Sequence, residues 1–371
     1  MKVLHVISDQ NIGGAGVLLC NLLRHFDASV ESVVALPQGS ALTARLDSMG
    51  VLCVPLLNPC DRLSAASVRE VGRVIRESGA ELVHANAAIA ARVAGKRAGV
   101  GVLYTRHCCY PPARWWRFPP VRWLGGACNR ALCDCAIATA EAAASNLHAY
   151  GIPTHKIRVV INGSDAVRAV SDEELAAVRR QYGIEASDYV IGICARLERC
   201  KGQDTFLKAA KRILEVVPNA RFLIVGSGSH EGELRRTCRE LGLDDRVIFT
   251  GFVRDMAPVY RLLRINVNCS RGTETSCLSL SEGMSAGVPM VASDYGGNPA
   301  MIGKSLAGFL FRTDDDAMLA RVVCRIATNP SLEAQMRVAA RERYEQRYTA
   351  AQMAEQVTQL YRDMLGQKNK H

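Results

Sequence analysis

The amino-acid sequence predicts an α/β protein with two domains, each a doubly wound parallel sheet. Its 371 residues exceed what one ordinary hydrophobic core accommodates, so two domains of similar size are expected. In both halves, short apolar runs typical of buried strands alternate with segments of helical periodicity. This alternation is typical of strand–helix–strand units, in which the strands are parallel and helices cover both faces of the sheet.

The apolar runs give the predicted elements in order. The first run is short and rich in β-branched residues, so we interpret it as a buried strand and not as a signal peptide. The predicted strands of the first half span residues 2–8, 32–36, 51–55, 82–85, 102–105, 136–138 and 158–161. A polar helical linker at residues 171–182 precedes the predicted strands of the second half, which span residues 189–194, 221–225, 246–250, 265–268 and 289–292. Three helical segments follow, at residues 314–327, 332–347 and 350–365.

A glycine-rich turn, NIGGAG at residues 11–16, lies between the first strand and a helix predicted over residues 17–26. Such a turn, with Gly14 within it, lets a ligand approach the backbone at the carboxyl edge of the sheet. The spacing is not that of a dinucleotide-binding motif, so we do not interpret it as a nicotinamide site. A plain tight turn is the alternative.

Two histidines follow later strands of the first half, His84 in VHAN and His107 in YTRH. The carboxyl ends of parallel strands line the ligand crevice of such sheets. A histidine there can hydrogen-bond a sugar or help to move a proton, whereas a lone histidine is more often structural. We favour a functional role for His107 over one for His84.

Residues 106–130 contain all three tryptophans and five arginines, but no lysine, aspartate or glutamate. The four prolines of the segment are expected to keep much of it out of a helix. Arginine mixed with tryptophan suits a membrane interface, where indole rings lie at the level of the headgroups and arginines meet lipid phosphates. A buried tryptophan cluster is the alternative. The residues predicted to contact an anionic membrane or a lipid-linked acceptor are Arg114, Trp115, Trp116, Arg117, Arg122 and Trp123.

Composition limits which partners, membrane segments and metal sites the chain is expected to have. The chain has a net charge of +10, which favours acidic partners such as phosphates or anionic lipid, and no nucleic-acid motif accompanies it. It contains no run of 18 apolar residues, so no membrane-spanning helix is expected. Its 14 cysteines, without a secretion signal, indicate free thiols in a reducing cytosol. Their spacing matches no standard zinc pattern, so no metal site is predicted.

In the second half, the loop after the strand at residues 189–194 carries two cations, Arg196 and Lys201, beside Gly202. Two cations at the carboxyl end of a strand, next to a new helix, can bind a diphosphate and neutralise its charge as it leaves. Two ordinary surface bases are the alternative.

Glycine turns follow the next two predicted strands. Gly226 begins the turn GSGS, and Gly251 is followed by Phe252 and Val253, whose backbone is placed to contact a nucleotide base. Gly226, Phe252 and Val253 are the predicted donor-binding residues of these turns.

The stretch at residues 269–300 is the most informative of the chain. A small, polar loop leads into a short helix, and two carboxylates eight residues apart lie in this turn: Glu274 in the loop and Glu282 on the helix. The N–H groups of Cys277, Leu278 and Ser279 lie at the helix N-terminus, where an anion such as a diphosphate is favoured. Glu282 can accept both hydroxyls of a ribose, and Glu274 can reach a sugar beyond the phosphates. Two surface glutamates are the alternative.

Together these motifs resemble the family 4 glycosyltransferases, which are retaining, nucleotide-sugar-dependent enzymes of the GT-B fold. The resemblance rests on the motifs GGAG, VINGSD, ARLERCKG, VGSGS and TGFV, and on the paired glutamates followed by AGVPMVASDYGGNP. It implies two Rossmann-like domains that face a central cleft. Residues 1–168, joined by a last helix at about 349–371, would form the acceptor-side domain, and residues 169–348 the nucleotide-sugar-binding domain.

The resemblance also implies roles in the second domain. Arg196 and Lys201 would bind the donor diphosphate. Glu282 would hold the ribose, and Glu274 would face the transferred sugar. After the first glutamate, where the family often has Gly-Phe, this chain has Thr-Ser-Cys at residues 275–277, which puts the identity of the donor sugar in doubt.

In the first domain, the resemblance implies that His107 contacts the donor sugar and that Gly14 lies near the phosphates and the acceptor. The sequence offers no convincing nucleophile opposite the leaving group, so the diphosphate itself is expected to assist deprotonation of the acceptor hydroxyl. No cofactor or metal is expected, since no Asp-x-Asp motif stands at a strand end. Closure of the two domains is expected to exclude water.

Other activities are compatible with the same pattern. A nucleotide-sugar 2-epimerase has this architecture but needs no acceptor, and a phosphorylase needs pyridoxal phosphate on a lysine. A non-catalytic nucleotide-sugar-binding protein is the non-enzyme alternative. The expected location is the cytoplasm, with peripheral contact at the inner face of the cytoplasmic membrane.

Overall fold

The computed structural model of the chain describes residues 1–107 and 112–368. It divides into two compact units. The first unit combines the chain up to Ser164 with the segment from Ala350 onward, and the second unit spans Asp165–Thr349. Within the described residues, no helix has both the length and the apolar character required to cross a bilayer.

The first unit is built on a seven-stranded sheet whose neighbouring strands all pair in parallel. Its strands are β1 (Lys2–Ile7), β2 (Glu31–Pro37), β3 (Leu52–Leu56), β4 (Leu82–Asn86), β5 (Gly101–Arg106), β6 (Cys135–Ala138) and β7 (Ile157–Val159). Their order is β3-β2-β1-β4-β5-β6-β7. The central strands are buried along nearly their whole length, as expected for a parallel sheet covered on both faces.

Helices connect these strands, and the last helix of the chain returns to the same unit. They are α1 (Gly14–His25), α2 (Thr43–Asp47), α3 (Ala65–Ser78), α4 (Ile89–Arg97), α5 (Pro119–Ala131), α6 (Glu141–Ala149) and the C-terminal α15 (Ala350–Lys368). α15 packs against α1. Tyr361 of α15 is fully buried and bonds to His84 of β4, which ties the end of the chain to the first sheet.

The second unit contains a six-stranded parallel sheet in the order β10-β9-β8-β11-β12-β13. Its strands are β8 (Tyr189–Cys194), β9 (Ala220–Val225), β10 (Val247–Gly251), β11 (Ile265–Asn268), β12 (Met290–Ser293) and β13 (Gly308–Phe311). Its helices are α7 (Asp172–Tyr182), α8 (Gln203–Leu214), α9 (Glu231–Glu240), α10 (Ala257–Leu262), α11 (Leu278–Ser285), α12 (Asn298–Ile302), α13 (Asp316–Ala327) and α14 (Pro330–Arg347).

Local signals explain where several of these helices begin and end. Ser171 caps α7: its hydroxyl accepts from the Glu174 N–H, while the Glu174 carboxylate accepts from the Ser171 N–H. Gly183 then ends α7 in the left-handed conformation. The core of the second unit lies between the sheet and helices such as α8, whose Phe206 packs against Phe222 of β9.

Two features differ from the sequence-based expectations. β13 was not predicted, because its sequence GFLF has no β-branched residue that would separate it from the surrounding helical patterns. The expectation that prolines keep much of residues 106–130 out of a helix is wrong for α5. Pro119 and Pro120 occupy its first two positions, where the missing N–H would have no partner within the helix.

Candidate active site

The carboxyl edge of the second sheet carries the predicted diphosphate-binding and carboxylate residues. Arg196 and Lys201 follow β8, and Gly226 follows β9. Glu274 lies in the loop between β11 and α11, and Glu282 lies on α11. Because parallel strands end at the same edge of a sheet, these positions belong to the part of the fold where ligands of α/β proteins bind.

Lys201 and Glu274 form a largely buried ion pair. The Lys201 Nζ lies 2.7 Å from Oε2 of Glu274, and the two side chains are 15% and 8% exposed. The hydroxyl of Ser270 donates to the same carboxylate oxygen at 2.7 Å. A buried carboxylate is therefore held by one full charge and one neutral donor.

Both members of the pair are charged at neutral pH. Burial opposes ionisation of Glu274, but the charge of Lys201 and the hydrogen bonds from Lys201 and Ser270 outweigh it and lower the pKa of the carboxyl. Burial likewise opposes the charge of Lys201, but the attraction of Glu274 outweighs it and raises the pKa of the ammonium group.

Two glycines allow backbone segments to approach closely at this edge. Gly296 has φ +59°, and a Cβ there would lie 2.2 Å from the carbonyl oxygen of Glu274. Gly226 has φ +131°, and a Cβ there would lie 2.2 Å from the carbonyl oxygen of Ala195. Another residue would clash with backbone and also adopt an unfavourable φ. Glycine is therefore required to place Glu274 and the turn after β9.

A buried polar cluster behind Glu274 was missed by the sequence analysis. Asn268, the last residue of β11, accepts from the Ser270 N–H at 2.9 Å and from the Asn298 amide at 3.2 Å. Ser293, the last residue of β12, donates to the carbonyl oxygen of Ser270 at 2.6 Å. These bonds fix the backbone of the residue that binds Glu274. A polar residue at the end of each apolar strand is the signal that was available in the sequence.

We expected the N–H groups at the N-terminus of α11 to be free to bind an anion, and the structure differs from this at Cys277. The Cys277 N–H is directed at the Met301 sulfur, 3.2 Å away, so it is not free. The Cys277 thiol lies 3.0 Å from the Asn268 amide and 3.1 Å from the Ser279 hydroxyl. Burial raises the pKa of the Cys277 thiol to about 11, so the helix N-terminus carries no thiolate that would repel an anion. Leu278 is the first residue of the helix.

Glu282 is oriented by a tyrosine that the sequence analysis also missed. The hydroxyl of Tyr260 on α10 donates to Oε2 of Glu282 at 2.9 Å. Tyr260 is fully buried, and burial followed by the charge of Glu282 raises the pKa of its phenol well above the ordinary value. The phenol therefore remains a donor over the physiological pH range, and it fixes one oxygen of the Glu282 carboxylate.

The remaining predicted donor-binding residues of the second unit lie closer to the surface. Arg196 is 65% exposed and pairs with Glu198 at 2.7 Å. An exposed pair of this kind contributes little stability, so the guanidinium can exchange its partner for a ligand phosphate at small cost. Phe252 is exposed and Val253 is partly buried, at the end of β10.

In the first unit, Gly14 is the exposed first residue of α1. Among the described residues, no atom would lie within 4 Å of a Cβ at this position. Gly16 differs, because a Cβ there would meet the Leu42 side chain at 2.7 Å. Packing therefore explains the glycine at residue 16 and leaves Gly14 open to a ligand.

His107 directly follows β5, and its Nε2 lies 3.0 Å from Oδ1 of Asn86, the last residue of β4. Burial lowers the pKa of His107 to about 4, so the ring is neutral at pH 7. The structure thus brings His107 to the carboxyl edge of the first sheet as an uncharged hydrogen-bonding group.

The functional role that we considered less favoured for His84 is wrong, and the structural alternative holds. Its Nδ1 lies 2.6 Å from the hydroxyl of Tyr361, and its Nε2 lies 2.6 Å from the hydroxyl of Thr105. The side chain is buried, and burial lowers its pKa well below the ordinary value. Both ring nitrogens are therefore occupied within the protein, and His84 is a structural residue.

The assignment of Trp116 to a membrane or acceptor surface is also wrong. This side chain is 8% exposed, and its indole N–H donates to the carbonyl oxygen of Ala149 at 3.1 Å. The ring packs against Tyr150, with 5.1 Å between centroids, and against the backbone at Gly125, where a Cβ would lie 2.4 Å from it. Trp116 is therefore a buried tryptophan, which was the alternative to a surface role.

Other residues of the Arg/Trp segment are at the surface. Trp115 is 58% exposed and Trp123 is 70% exposed, and Arg114 and Arg122 are exposed as well. The side chain of Arg117 lies outside the described part of the structure, as do residues 108–111. Over residues 1–107 and 112–368, histidine, cysteine and carboxylate side chains form no group of three that could hold a metal ion.

Two family models match the chain in consecutive segments. The model described as Glycosyltransferase Family 4 matches residues 12–168, and the model described as Glycosyl transferases group 1 matches residues 188–329. The chain belongs to the family 4 glycosyltransferases. The predicted family is therefore confirmed, and the protein is a glycosyltransferase.

This family 4 glycosyltransferase is 29% identical over 290 residues to EpsD, a glycosyltransferase-family protein of Bacillus subtilis (strain 168), with 74% of each chain covered. It is also 25% identical over 233 residues to N-acetyl-alpha-D-glucosaminyl L-malate synthase of Bacillus anthracis. That alignment covers 62% of this chain and 60% of the synthase. The aligned part thus spans about three fifths of the second relative.

Solved structures support the fold. The crystal structure of Anabaena Alr3699/HepE in complex with UDP-glucose matches with a TM-score of 0.86 at 22% identity, over 98% of this chain and 100% of that chain. At this level of identity the likeness establishes the fold. Together with the two parallel sheets described above, it confirms the predicted fold class, GT-B.

Proposed function

We propose that this glycosyltransferase moves a glycosyl unit from a nucleoside diphosphate sugar to a hydroxyl acceptor with retention of the anomeric configuration. The observation that carries the proposal is the buried Lys201–Glu274 ion pair at the carboxyl edge of the second sheet, with the pair at 2.7 Å. A buried pair of opposite charges presents a cation to a diphosphate and a carboxylate to sugar hydroxyls in one place.

The donor would bind along this edge. Lys201, assisted by Arg196 and the N-terminus of α11, would bind the diphosphate. Glu282, with one oxygen bound to Tyr260, would accept from the ribose hydroxyls. Glu274 would accept from hydroxyls of the transferred sugar.

The chemistry would rest on charge stabilisation and positioning. The bond between the anomeric carbon and the diphosphate oxygen breaks, and the acceptor oxygen bonds to the same face of that carbon. The departing diphosphate oxygen takes the proton of the acceptor hydroxyl. Lys201 and Arg196 stabilise the negative charge that develops on the leaving group. Neutral His107 would hydrogen-bond a hydroxyl of the donor sugar.

Uridine nucleotides are the first donors to test. HepE, which shares the fold, has been solved in complexes with UDP and with UDP-glucose. GDP is the necessary comparison, because another relative, from Corynebacterium glutamicum, is named a GDP-mannose-dependent mannosyltransferase.

The acceptor would be a lipid-linked glycan precursor at the inner face of the cytoplasmic membrane. Support comes from the exposed aromatic residues around α5. Trp115 and Trp123 point to solvent beside Arg114 and Arg122, in a segment without acidic residues. Such a surface suits anionic headgroups, so we propose peripheral membrane contact through it.

The experiment is a donor screen with two readouts. Thermal unfolding is followed with UDP, GDP and their glucose, N-acetylglucosamine, galactose and mannose conjugates, and release of the nucleotide is measured with membrane lipid extract as the acceptor source. We expect one nucleotide family to raise the unfolding temperature and one sugar conjugate to be consumed only with acceptor. NMR of the product gives the anomeric configuration.

The same screen separates the alternatives. Epimerised sugar nucleotide formed without acceptor would identify a 2-epimerase, and nucleotide binding without turnover over the acceptor range would indicate a binding protein. If no nucleotide shifts the unfolding temperature, the proposed donor site is wrong.

A further inference from the structure

The loop that carries Glu274 contains a residue in an unfavourable backbone conformation. Thr273, directly before Glu274, has φ +58°. A β-branched residue rarely adopts this left-handed conformation, because its Cβ crowds the backbone. Such a conformation persists only where surrounding contacts hold it. The position of Glu274 therefore depends on the contacts that hold Thr273.

Arg271, two residues before Thr273, makes contacts of this kind. Its N–H donates to the carbonyl oxygen of Cys200 at 2.9 Å. Its guanidinium donates to the carboxylate of Asp204, and its Nη1 lies 3.1 Å from Oδ1 of Asp314. The arginine side chain is 28% exposed. Arg271 is thus bound through its backbone and its side chain to three residues outside its own loop.

Two of the partners of this arginine lie on either side of Lys201 in the sequence. Cys200 directly precedes Lys201, and Asp204 lies in the first turn of α8. Arg271 itself lies three residues before Glu274. The loop that carries Glu274 is therefore joined to the segment that carries Lys201 at two places, through Arg271 and through the buried ion pair.

The third partner, Asp314, attaches the same arginine to another part of the unit. Asp314 lies between β13 and α13, and its Oδ1 also accepts from the hydroxyl of Thr205 on α8 at 3.3 Å. One guanidinium thus binds carboxylates from two segments. Arginine suits this position because its planar group carries five N–H donors in a fixed fork, whereas the ammonium group of lysine is a point charge on a flexible stem.

We propose that Arg271 is a positioning residue for the reaction. Its bonds to the two carboxylates hold Thr273 in the left-handed conformation, and thereby keep Oε2 of Glu274 within hydrogen-bond distance of Nζ of Lys201. Without these bonds, Thr273 relaxes to a negative φ and the carboxylate moves relative to the cation. The consequence for turnover rests on the proposed function, in which Glu274 accepts from hydroxyls of the transferred sugar.

The alternative is an arginine–carboxylate pair that only links segments at the surface. The same unit contains a pair of that kind. Nε of Arg212 on α8 lies 2.7 Å from Oδ2 of Asp316 on α13, and the side chain of Arg212 is 56% exposed. Like the two acidic partners of Arg271, this pair connects α8 with the start of α13, but neither of its residues lies in the loop that carries Glu274. Arg212→Gln is therefore the matched control for Arg271→Gln.

The first test compares the nucleotide release of three variants. In Arg271→Gln, kcat should fall about 10- to 100-fold, the loss expected when a catalytic group is displaced. The Kd of the free nucleoside diphosphate, which lacks the transferred sugar, should rise less than about threefold. Arg271→Lys should lie between this variant and the unaltered protein, and Arg212→Gln should equal the unaltered protein. An unchanged kcat in folded Arg271→Gln, or an equal loss of kcat and nucleotide affinity, overturns the proposal.

The second test addresses the route through Thr273. Glycine adopts a positive φ at no steric cost, so Thr273→Gly makes the left-handed conformation independent of Arg271. The double variant Arg271→Gln/Thr273→Gly should therefore have a kcat about threefold or more above that of Arg271→Gln. A double variant that is no more active than Arg271→Gln overturns the proposal.

Crystal structures of the unaltered protein and of Arg271→Gln provide a readout that needs no turnover. In the variant, Thr273 should have a negative φ, and Nζ of Lys201 and Oε2 of Glu274 should no longer be in hydrogen-bond contact. A left-handed Thr273 beside an intact pair overturns the proposal. If Arg271→Gln does not fold, Asp204→Asn weakens the same contact and replaces it in both measurements. Failure of the proposed transferase activity is recognised separately, as absence of nucleotide release by the unaltered protein.

Discussion

Nζ of Lys201 and Oε2 of Glu274 lie 2.7 Å apart and are largely shielded from water. Each charge offsets the cost of burying the other, and Ser270 donates to the same carboxylate oxygen. In the proposed reaction, a diphosphate competes with Glu274 for Lys201, and sugar hydroxyls compete with Lys201 for Glu274. In this proposal, the pair provides both a stable site before donor binding and the groups that bind the donor.

Replacement of Lys201 by alanine should lower kcat by about 10²–10³-fold, the loss typical of one group that stabilises developing charge. It should also destabilise the second unit by about 3–5 kcal/mol, because Glu274 would remain buried without a counter-charge. Turnover is measured as nucleotide release, and stability by urea unfolding.

Two further variants separate these effects. Lys201→Ala combined with Glu274→Gln removes both charges and should recover much of the stability without recovering activity. Lys208→Ala, an exposed lysine on α8, should leave both quantities unchanged. Near-normal turnover in the double variant would exclude the pair from the donor site.

Replacement of Glu282 by alanine should weaken binding of the free nucleoside diphosphate. The carboxylate is expected to accept from the ribose, and hydrogen bonds to a charged group contribute about 1.5–3 kcal/mol, so the Kd should rise roughly 10- to 100-fold. Tyr260→Phe removes the donor that orients the carboxylate, and should raise the Kd by a few-fold. Isothermal titration calorimetry measures both.

The exposed Glu173 on α7 offers a matched control, since Glu173→Ala removes a surface carboxylate of the same unit. The affinity of Glu173→Ala for the nucleoside diphosphate should equal that of the unaltered protein. An unchanged Kd in folded Glu282→Ala would place the ribose elsewhere.

Much of the architecture followed from local pattern. Every predicted strand of the first half matches an observed strand to within two residues at each end, because parallel strands buried on both faces are continuous apolar runs. β13 escaped detection because GFLF at residues 308–311 lacks β-branched side chains.

The residues of the candidate site were predictable from the sequence only where a charged side chain lies in a loop directly after a predicted strand. Lys201 and Glu274 were each identified from their loops, yet their contact joins residues 73 positions apart and depends on the packing of two strands. Tyr260 was missed because nothing near it in the sequence indicates a partner 22 residues later. Trp116 was placed wrongly because its burial requires Gly125 and Ala149, which composition cannot bring together.

Replacement of Trp115 and Trp123 together by alanine should abolish binding to vesicles of phosphatidylglycerol and phosphatidylethanolamine without changing stability. Both rings are exposed and available to a headgroup layer. Trp116→Ala should instead destabilise the first unit by about 3–5 kcal/mol, as for other buried aromatic truncations. Vesicle flotation and urea unfolding provide the measurements.

Leu57 is exposed on the same unit, so Leu57→Ala controls for the general loss of surface apolar area. This variant should float with vesicles like the unaltered protein. If the Trp115/Trp123 double variant still floats, the aromatic surface around α5 is not the membrane contact.

The first unit should lose stability on acidification because burial lowers the pKa of three of its histidines, His5, His84 and His107. His5 and His84 face each other on β1 and β4, with 5.3 Å between ring centroids. Burial lowers the pKa of His5 to about 3 and that of His84 well below the ordinary value. Unfolded histidine titrates near 6.5, so below that pH the unfolded chain binds protons that the folded chain does not. The free energy of unfolding should therefore fall by about 2 kcal/mol per buried histidine between pH 7.5 and pH 5.

His5→Phe tests this assignment, because it removes the titration of one of these three histidines and keeps an apolar ring beside β4. The fall in unfolding free energy between pH 7.5 and pH 5 should shrink by about 2 kcal/mol relative to the unaltered protein. His148→Asn, an exposed position on α6, should leave the fall unchanged. Tryptophan fluorescence during urea unfolding reports on this unit alone, since all three tryptophans belong to it. An identical pH dependence in folded His5→Phe would show that groups other than His5 cause the acid sensitivity.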